Sequence, residues 1–348
     1  MNPGAWLRLG RALFLGQKPN YVIAFVTGRC NLACAFCCHA ARHAREKPCQ
    51  QELTAPQWAA MFSGLRALIH LTITGGEPFL RKDLVDLVIG AVRSCGVPRI
   101  SINTNGFLTE RIVSVMEALL KELHPLEIAL AVSLDGPEEV HDSLRGVPGA
   151  FRAAHETVMA TAPLRNHFKQ FTVRVSSVLC RENKDHLESF MNETASWPID
   201  YHDLGLVRDV PPAEQRALAA TYAHLTNRQL DHASSRYFRG IDWRLQRQVR
   251  DEVLAHVEGK KGCAQCLAGS RLLEVFPDGA VRGCEMNMMW QESLIAEGSE
   301  TPMRLADAIG LPAARKFQKQ AAACGCSFEC AHGCNVIFRP SGWWRLLL

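Results

Sequence analysis

The stretch "YVIAFVTGRCNLACAFCCHA", residues 21–40, runs an apolar segment straight into four cysteines. Residues 21–27 are almost all β-branched, aromatic or small, with no alternation of polar side chains. That is the pattern of a strand buried on both faces. The cysteines that follow stand at 30, 34, 37 and 38. The opening "MNPGAWLRLGRALFLGQKP" is interrupted by arginines and lacks a small-residue cleavage site, so it does not read as a secretion signal. A cytoplasmic location is therefore expected. Fourteen cysteines in such a chain of 348 residues point to metal binding or catalysis before disulfides.

Working outward, the same rhythm repeats. Strand-like runs cover 21–27, 71–76, 99–105, 127–136, 171–179 and 200–208. Between them lie helical patterns near 54–68, from Asp83 to Cys95, over 109–123 and after Gly149, and one opened by Asn183. Six apolar strands separated by helices predict a parallel sheet, here a partial (β/α)6 TIM-like barrel. From about 212 to 258 the chain is charged and helical. Seven cysteines then fall between 263 and 334. The expected division is an N-terminal extension (1–20), the barrel (21–211), a helical linker (212–258) and a smaller cysteine-rich α+β iron–sulfur domain (259–348). The net charge is only +4 with no basic run, which argues against nucleic acid as a partner. No run of 18 apolar residues occurs, so no membrane span is expected. No GxGxxG follows the first strand, which speaks against dinucleotide binding.

Each polar cluster sits just after a predicted strand: the cysteines, then "TGGEP" (74–78), "NTNG" (103–106) and "SLDG" (133–136). In α/β barrels the ligand site forms at these strand ends, so the clusters should converge. The triplet Cys30-x3-Cys34-x2-Cys37, in this company, resembles the radical SAM superfamily over most of the chain. The resemblance implies a [4Fe–4S] cluster on Cys30, Cys34 and Cys37, with one iron left to chelate S-adenosylmethionine. Cys38 reads as a bystander. The resemblance further implies that Gly75, Gly76, Glu77 and Pro78 receive the methionine ammonium and that Phe36 lies beside adenine. Ser133 would bond the ribose or methionine part, Arg145 the carboxylate, and Asn103 would assist. Asp135 and His141 are expected to orient their loop. For Arg145 a surface ion pair, and for Asn103 a simple turn cap, are the plainer readings.

The C-terminal unit narrows the class. Cys266-x12-Gly279-x4-Cys284 resembles the SPASM/twitch extension, with a hairpin turning at "DG". The resemblance assigns Cys263, Cys266, Cys284 and Cys334 to a first auxiliary [4Fe–4S] cluster. Cys324, Cys326 and Cys330 would hold a second with an open or non-cysteine ligand, or else serve as structural or redox-active thiols. The Cys-x-Cys spacing at 324–326 is tighter than the family's, and no cysteine follows Cys334. A zinc ribbon is the plain alternative for this unit. Glu285, next to Cys284, stands where a base is proposed in related sulfatase-maturing enzymes; a salt-bridged glutamate is the other reading. Cys95 and Cys180 read as small buried hydrophobes, and Cys49 as an exposed loop thiol.

The resemblance implies an oxidoreductase that abstracts hydrogen from an unactivated C–H bond. The product is an oxidised or cross-linked peptide or small molecule, and a flavodoxin or ferredoxin supplies electrons. About twenty residues precede the first strand, too few for a leader-binding domain. Redox-neutral epimerisation or rearrangement, lipid- or sugar-modifying chemistry, and a non-catalytic electron-transfer protein are the alternatives. The termini carry Trp6, Leu7, Leu9, Leu13, Phe14 and Leu15 at one end and Trp343, Trp344, Arg345 and three leucines at the other. They suit packing on each other or a weak membrane-surface contact.

Overall fold

The computed structural model describes residues 3–37, 51–232, 241–260, 265–286, 289–296, 299 and 301–338. Cys38, Cys49, Cys263 and the tail that contains Trp343, Trp344 and Arg345 lie outside them.

Six strands lie parallel in chain order: β1 (Tyr21–Phe25), β2 (His70–Thr74), β3 (Arg99–Thr104), β4 (Glu127–Ser133), β5 (Phe171–Leu179) and β6 (Tyr201–Leu206). They form the partial (β/α)6 barrel. Each of the six predicted runs became a strand, because continuous apolar stretches can be satisfied only where both faces are covered. Helices α1 (Pro3–Phe14), α2 (Ala55–Phe62), α3 (Leu84–Cys95), α4 (Thr109–Glu122), α5 (Glu138–Arg145), α6 (Ala150–Thr161) and α7 (Leu187–Thr194) precede or connect the strands. In α3, Leu84, Leu87, Val88 and Ala91 are fully buried at helical spacing. Gly96 ends that helix in the left-handed region (φ 61°), its N–H on the Val92 carbonyl.

Three local outcomes differ from expectation. The helix expected over 54–68 stops at Phe62 and is followed by Gly64 at φ 81°. The stretch "EEVHDSLR" is a helix in its own right, α5, closed by Gly146. And Asn183 does not open α7, which starts at Leu187. Its buried side chain instead accepts from the Cys180 N–H and donates to the Asp135 and Val178 carbonyls. A side chain with that many loop partners fastens a turn rather than a helix end.

Helices α8 (Pro212–His232) and α9 (Ile241–Val257) follow the barrel. The C-terminal unit then returns to it. Strands β7 (Leu272–Val275), β8 (Ala280–Arg282) and β9 (Gln291–Ser293) extend the same sheet, in the order β6-β5-β4-β3-β2-β1-β7-β8-β9. β7 pairs parallel with β1, and β8 and β9 add antiparallel. The hairpin turns at Asp278–Gly279 as expected, with Gly279 at φ 83°. This strand covers the edge that β1 would otherwise leave open. Helices α10 (Leu305–Ala308), α11 (Pro312–Ala321) and α12 (Glu329–Ile337) complete the unit. Within the described residues, no helix is long and apolar enough to cross a membrane. Leu7, Phe14 and Leu15 of the N-terminal segment are exposed.

Candidate active site

The loop after β1 carries the cysteines and is clamped from two sides. Gly76 N–H donates to the Thr27 carbonyl and Glu77 N–H to the Arg29 carbonyl, both at 2.8 Å. On the other side Ala33 N–H donates to the Arg145 carbonyl (3.0 Å) and Ala35 N–H to Leu144 (2.9 Å). The glycines make the first clamp possible. A Cβ on Gly75 would lie 2.4 Å from the Thr27 oxygen, and one on Gly76 2.1 Å from the Arg29 oxygen. Their smallness therefore serves the approach of the cysteine loop. Buried Pro78 starts the short turn Pro78–Leu80 that follows.

The polar side chains around this loop converge as the strand-end rule requires. Arg145 is buried at 8% exposure, with Nε and Nη2 at 2.7 and 2.6 Å from Asp135 Oδ2. Its Nη1 lies 3.6 Å from Cys34 Sγ, and its guanidinium sits 5.3 Å from the Phe36 ring centre. Asn105 Nδ2 lies 3.9 Å from Cys30 Sγ and 2.8 Å from Asn31 Oδ1. Burial pushes the Cys30 and Cys34 thiols up; Asn105 and Arg145, respectively, act against it, and Cys37 adds to the repulsion in both. Two thiols that each feel Cys37, with a donor aimed at each of them, fit a thiolate-ligated cluster. Asp135 also accepts from Val178 N–H, while His141 Nδ1 accepts from Asp135 N–H. Burial lowers His141 to about 4, so its ring is neutral.

Glu77 is fully buried. It accepts from Thr104 Oγ1 (2.9 Å), Phe79 N–H (3.2 Å) and Asn105 N–H (2.7 Å). Burial raises its pKa to about 7 against those three donors. A carboxylate has about four acceptor positions, so one is left for a cationic ligand group. Asn103 lies in register with Ala131, two residues before Ser133, which places both polar side chains on one sheet face. Asn103 Oδ1 is buried and has no partner among the described residues.

Residues 25–193 match the Radical SAM superfamily. These residues are a radical SAM domain. The sporulation killing factor maturation protein SkfB of Bacillus subtilis is 26% identical over 268 residues, 75% of this chain and 59% of SkfB. A GTP 3',8-cyclase of Limosilactobacillus fermentum is 27% identical over 293 residues, 79% of this chain and 81% of the cyclase. Among solved structures, Streptococcus suis SuiB bound to precursor peptide SuiA shares the fold. Its TM-score is 0.60 at 14% identity, covering 86% of this chain and 66% of SuiB. Membership removes the non-catalytic alternative. It brings S-adenosylmethionine and a [4Fe–4S] cluster, for which Cys30, Cys34 and Cys37 are the residues at hand.

The radical SAM enzyme's C-terminal cysteines also come together. Electrostatic coupling links Cys266 with Cys284 and Cys334, Cys330 with Cys334, and Cys326 with Cys284 and Cys324. Cys330 and Cys334 stand one helical turn apart on α12. Burial pushes Cys330 up to about 12 and raises Cys284 and Cys334 as well, while the hydrogen-bonded Cys326 thiol draws Cys324 down. Burial alone disfavours their thiolates, and a bound metal's positive charge would act in the opposite direction. Among the described residues no three His, Cys, Asp or Glu side chains gather within reach of one metal ion. Glu285 is buried and ion-paired with Arg208, which lies over the Phe328 ring at 4.9 Å. Cys95 and Cys180 are buried.

The sequence reading passed over Asn105, Thr104, Tyr21 and Arg208. Asn105 did have a signal: it precedes Gly106 at φ 76°, and its Oδ1 accepts from Phe107 N–H in a strand-end turn. The other three had none in spacing alone.

Proposed function

We propose that this enzyme is a radical SAM oxidoreductase whose substrate is a peptide, modified at an unactivated C–H bond. Bound S-adenosylmethionine and its cluster supply the reductive cleavage and the hydrogen abstraction. The chain's own residues hold and shield that chemistry. Arg145 would bring a guanidinium to the methionine carboxylate, Glu77 its remaining acceptor position to the ammonium, and Phe36 its ring to adenine. Asn103 and Ser133 offer polar atoms on the inner face between them.

The observation that carries the oxidative reading is the reach of the auxiliary cysteines into the barrel. Cys330 Sγ lies 3.6 Å from the hydroxyl of Tyr21, the first residue of β1. Cys330 meets the start of β1 and Cys30 follows its end, so a substrate bound between the two cysteine sets would have an electron acceptor within the same fold. The peptide reading is supported by the likeness to SuiB, solved with a precursor peptide, and to the maturation protein SkfB. Glu285, held by Arg208, is the candidate to take the substrate proton.

The test is anaerobic reconstitution followed by reduction with flavodoxin or dithionite. The reading requires 5′-deoxyadenosine release, abolished in Cys34→Ser, and a peptide product lighter by two hydrogens. A product of unchanged mass would assign the redox-neutral alternative. Iron content separates one, two or three cubane clusters at about four, eight or twelve irons per chain.

A further inference from the structure

Tyr21 does more than begin a strand. Its hydroxyl lies 2.9 Å from Thr72 Oγ1 as well as 3.6 Å from Cys330 Sγ, the second within the longer reach of an O–H···S bond. Thr72 Oγ1 is 3.0 Å from Ser101 Oγ, and Ser101 Oγ is 3.1 Å from His70 Nε2. The His70 ring meets the Tyr21 ring edge-on at 5.1 Å. Register makes this possible: Tyr21 pairs with His70 across β1 and β2, and Thr72 with Ser101 across β2 and β3. Four side chains from three adjacent strands thus form an unbroken line that ends on the sulfur of a residue 309 positions away.

Proton counting gives the line a direction. A thiolate sulfur only accepts, so Tyr21 must donate to it. Each hydroxyl has one hydrogen. Thr72 must then donate to Tyr21, Ser101 to Thr72, and His70 through Nε2–H to Ser101. Burial, with Arg99 and Arg174 nearby, lowers His70 to about 3 and keeps it neutral, with one N–H to give. Each donor polarises the next, so the bond reaching the sulfur is stronger than a lone tyrosine would make.

We propose that Tyr21 is a positioning residue for the auxiliary iron–sulfur site, delivering the end of a His70–Ser101–Thr72–Tyr21 donor chain to the Cys330 sulfur and raising that cluster's reduction potential. The proposal rests on Cys330 being a cluster ligand. A hydrogen bond to a ligating sulfur draws charge from it and favours the reduced cluster. The N-terminal thiols receive no part of this chain; their donors are Asn105 and Arg145.

The test uses the full-length, anaerobically reconstituted protein and a redox titration followed by electron paramagnetic resonance. In Tyr21→Phe the auxiliary potential moves to more negative values while the N-terminal cluster's potential and the iron content stay put. In Thr72→Val the auxiliary potential moves the same way by less. If Tyr21→Phe sheds iron, the Thr72→Val shift still decides the matter. Unchanged auxiliary potentials in both variants, or an equal shift of both clusters, overturn the proposal. Cys330→Ser separates the two claims. If it keeps every signal and all its iron, the ligand reading fails and takes the proposal with it. If it loses the auxiliary signal while Tyr21→Phe and Thr72→Val leave the potential in place, only the donor chain is refuted.

Discussion

Arg145 shows how one residue can be singled out in sequence while its partners stay hidden. Its type and place after a strand end marked it as functional, and surface pairing was its plainer reading. The structure buries it and joins it to Asp135, Cys34 and Phe36 together. Arg145→Ala would leave the Asp135 carboxyl at 0% exposure without its guanidinium partner. Breaking a buried pair in this way costs about 3–5 kcal/mol, which anaerobic urea unfolding would measure. Arg145→Lys should recover part of that stability but not the two-pronged bond, and 5′-deoxyadenosine release should stay impaired. Asn105 was harder to find than Asn103, two positions earlier in the same "NTNG", because only the turn after β3 aims it at Cys30.

Among the elements, strands were more legible than helices. An apolar run of five to nine residues has few other places to go, whereas "EEVHDSLR" looks like a signature before it looks like a helix. Yet α5 matters to the site, since its last two carbonyls hold the cysteine loop. The opposite clamp can be tested through its glycine. Gly76→Ala sets a methyl group 2.1 Å from the backbone oxygen of Arg29, which cannot be relieved by a rotamer change. The loop must move. The expected result is loss of about four irons per chain, with far-ultraviolet circular dichroism unchanged. An alanine variant with full iron content and normal S-adenosylmethionine cleavage would refute this role.

At the scale of the whole molecule, three histidines are kept neutral by burial: His70 at about 3, and His141 and His202 at about 4. In the unfolded chain each titrates near 6.5. Between the two values the unfolded state binds more protons, so stability is intact above about 6.5 and is lost as the pH falls toward 4. For His202, whose ring is held by Ser177 and Thr194, a shift of this size corresponds to roughly 3 kcal/mol at most. Denaturant titrations from pH 7.5 to 4.5 should show this decline, and His202→Gln should flatten it. A wild-type curve that is level across that range would contradict the burial.

What the sequence by itself determined is local and chemical. Three cysteines in eight positions suit a cluster, and apolar runs at strand length select a parallel sheet, because ligation and strand burial act over a few neighbouring residues. What only the tertiary structure decided is which distant groups meet. β7 completes the barrel sheet beside β1, Arg208 reaches Glu285, and Tyr21 finds Cys330. These contacts depend on strand register and on how α12 packs against the sheet. Both are set by the sum of many weak burial terms, and no spacing along the chain records that sum.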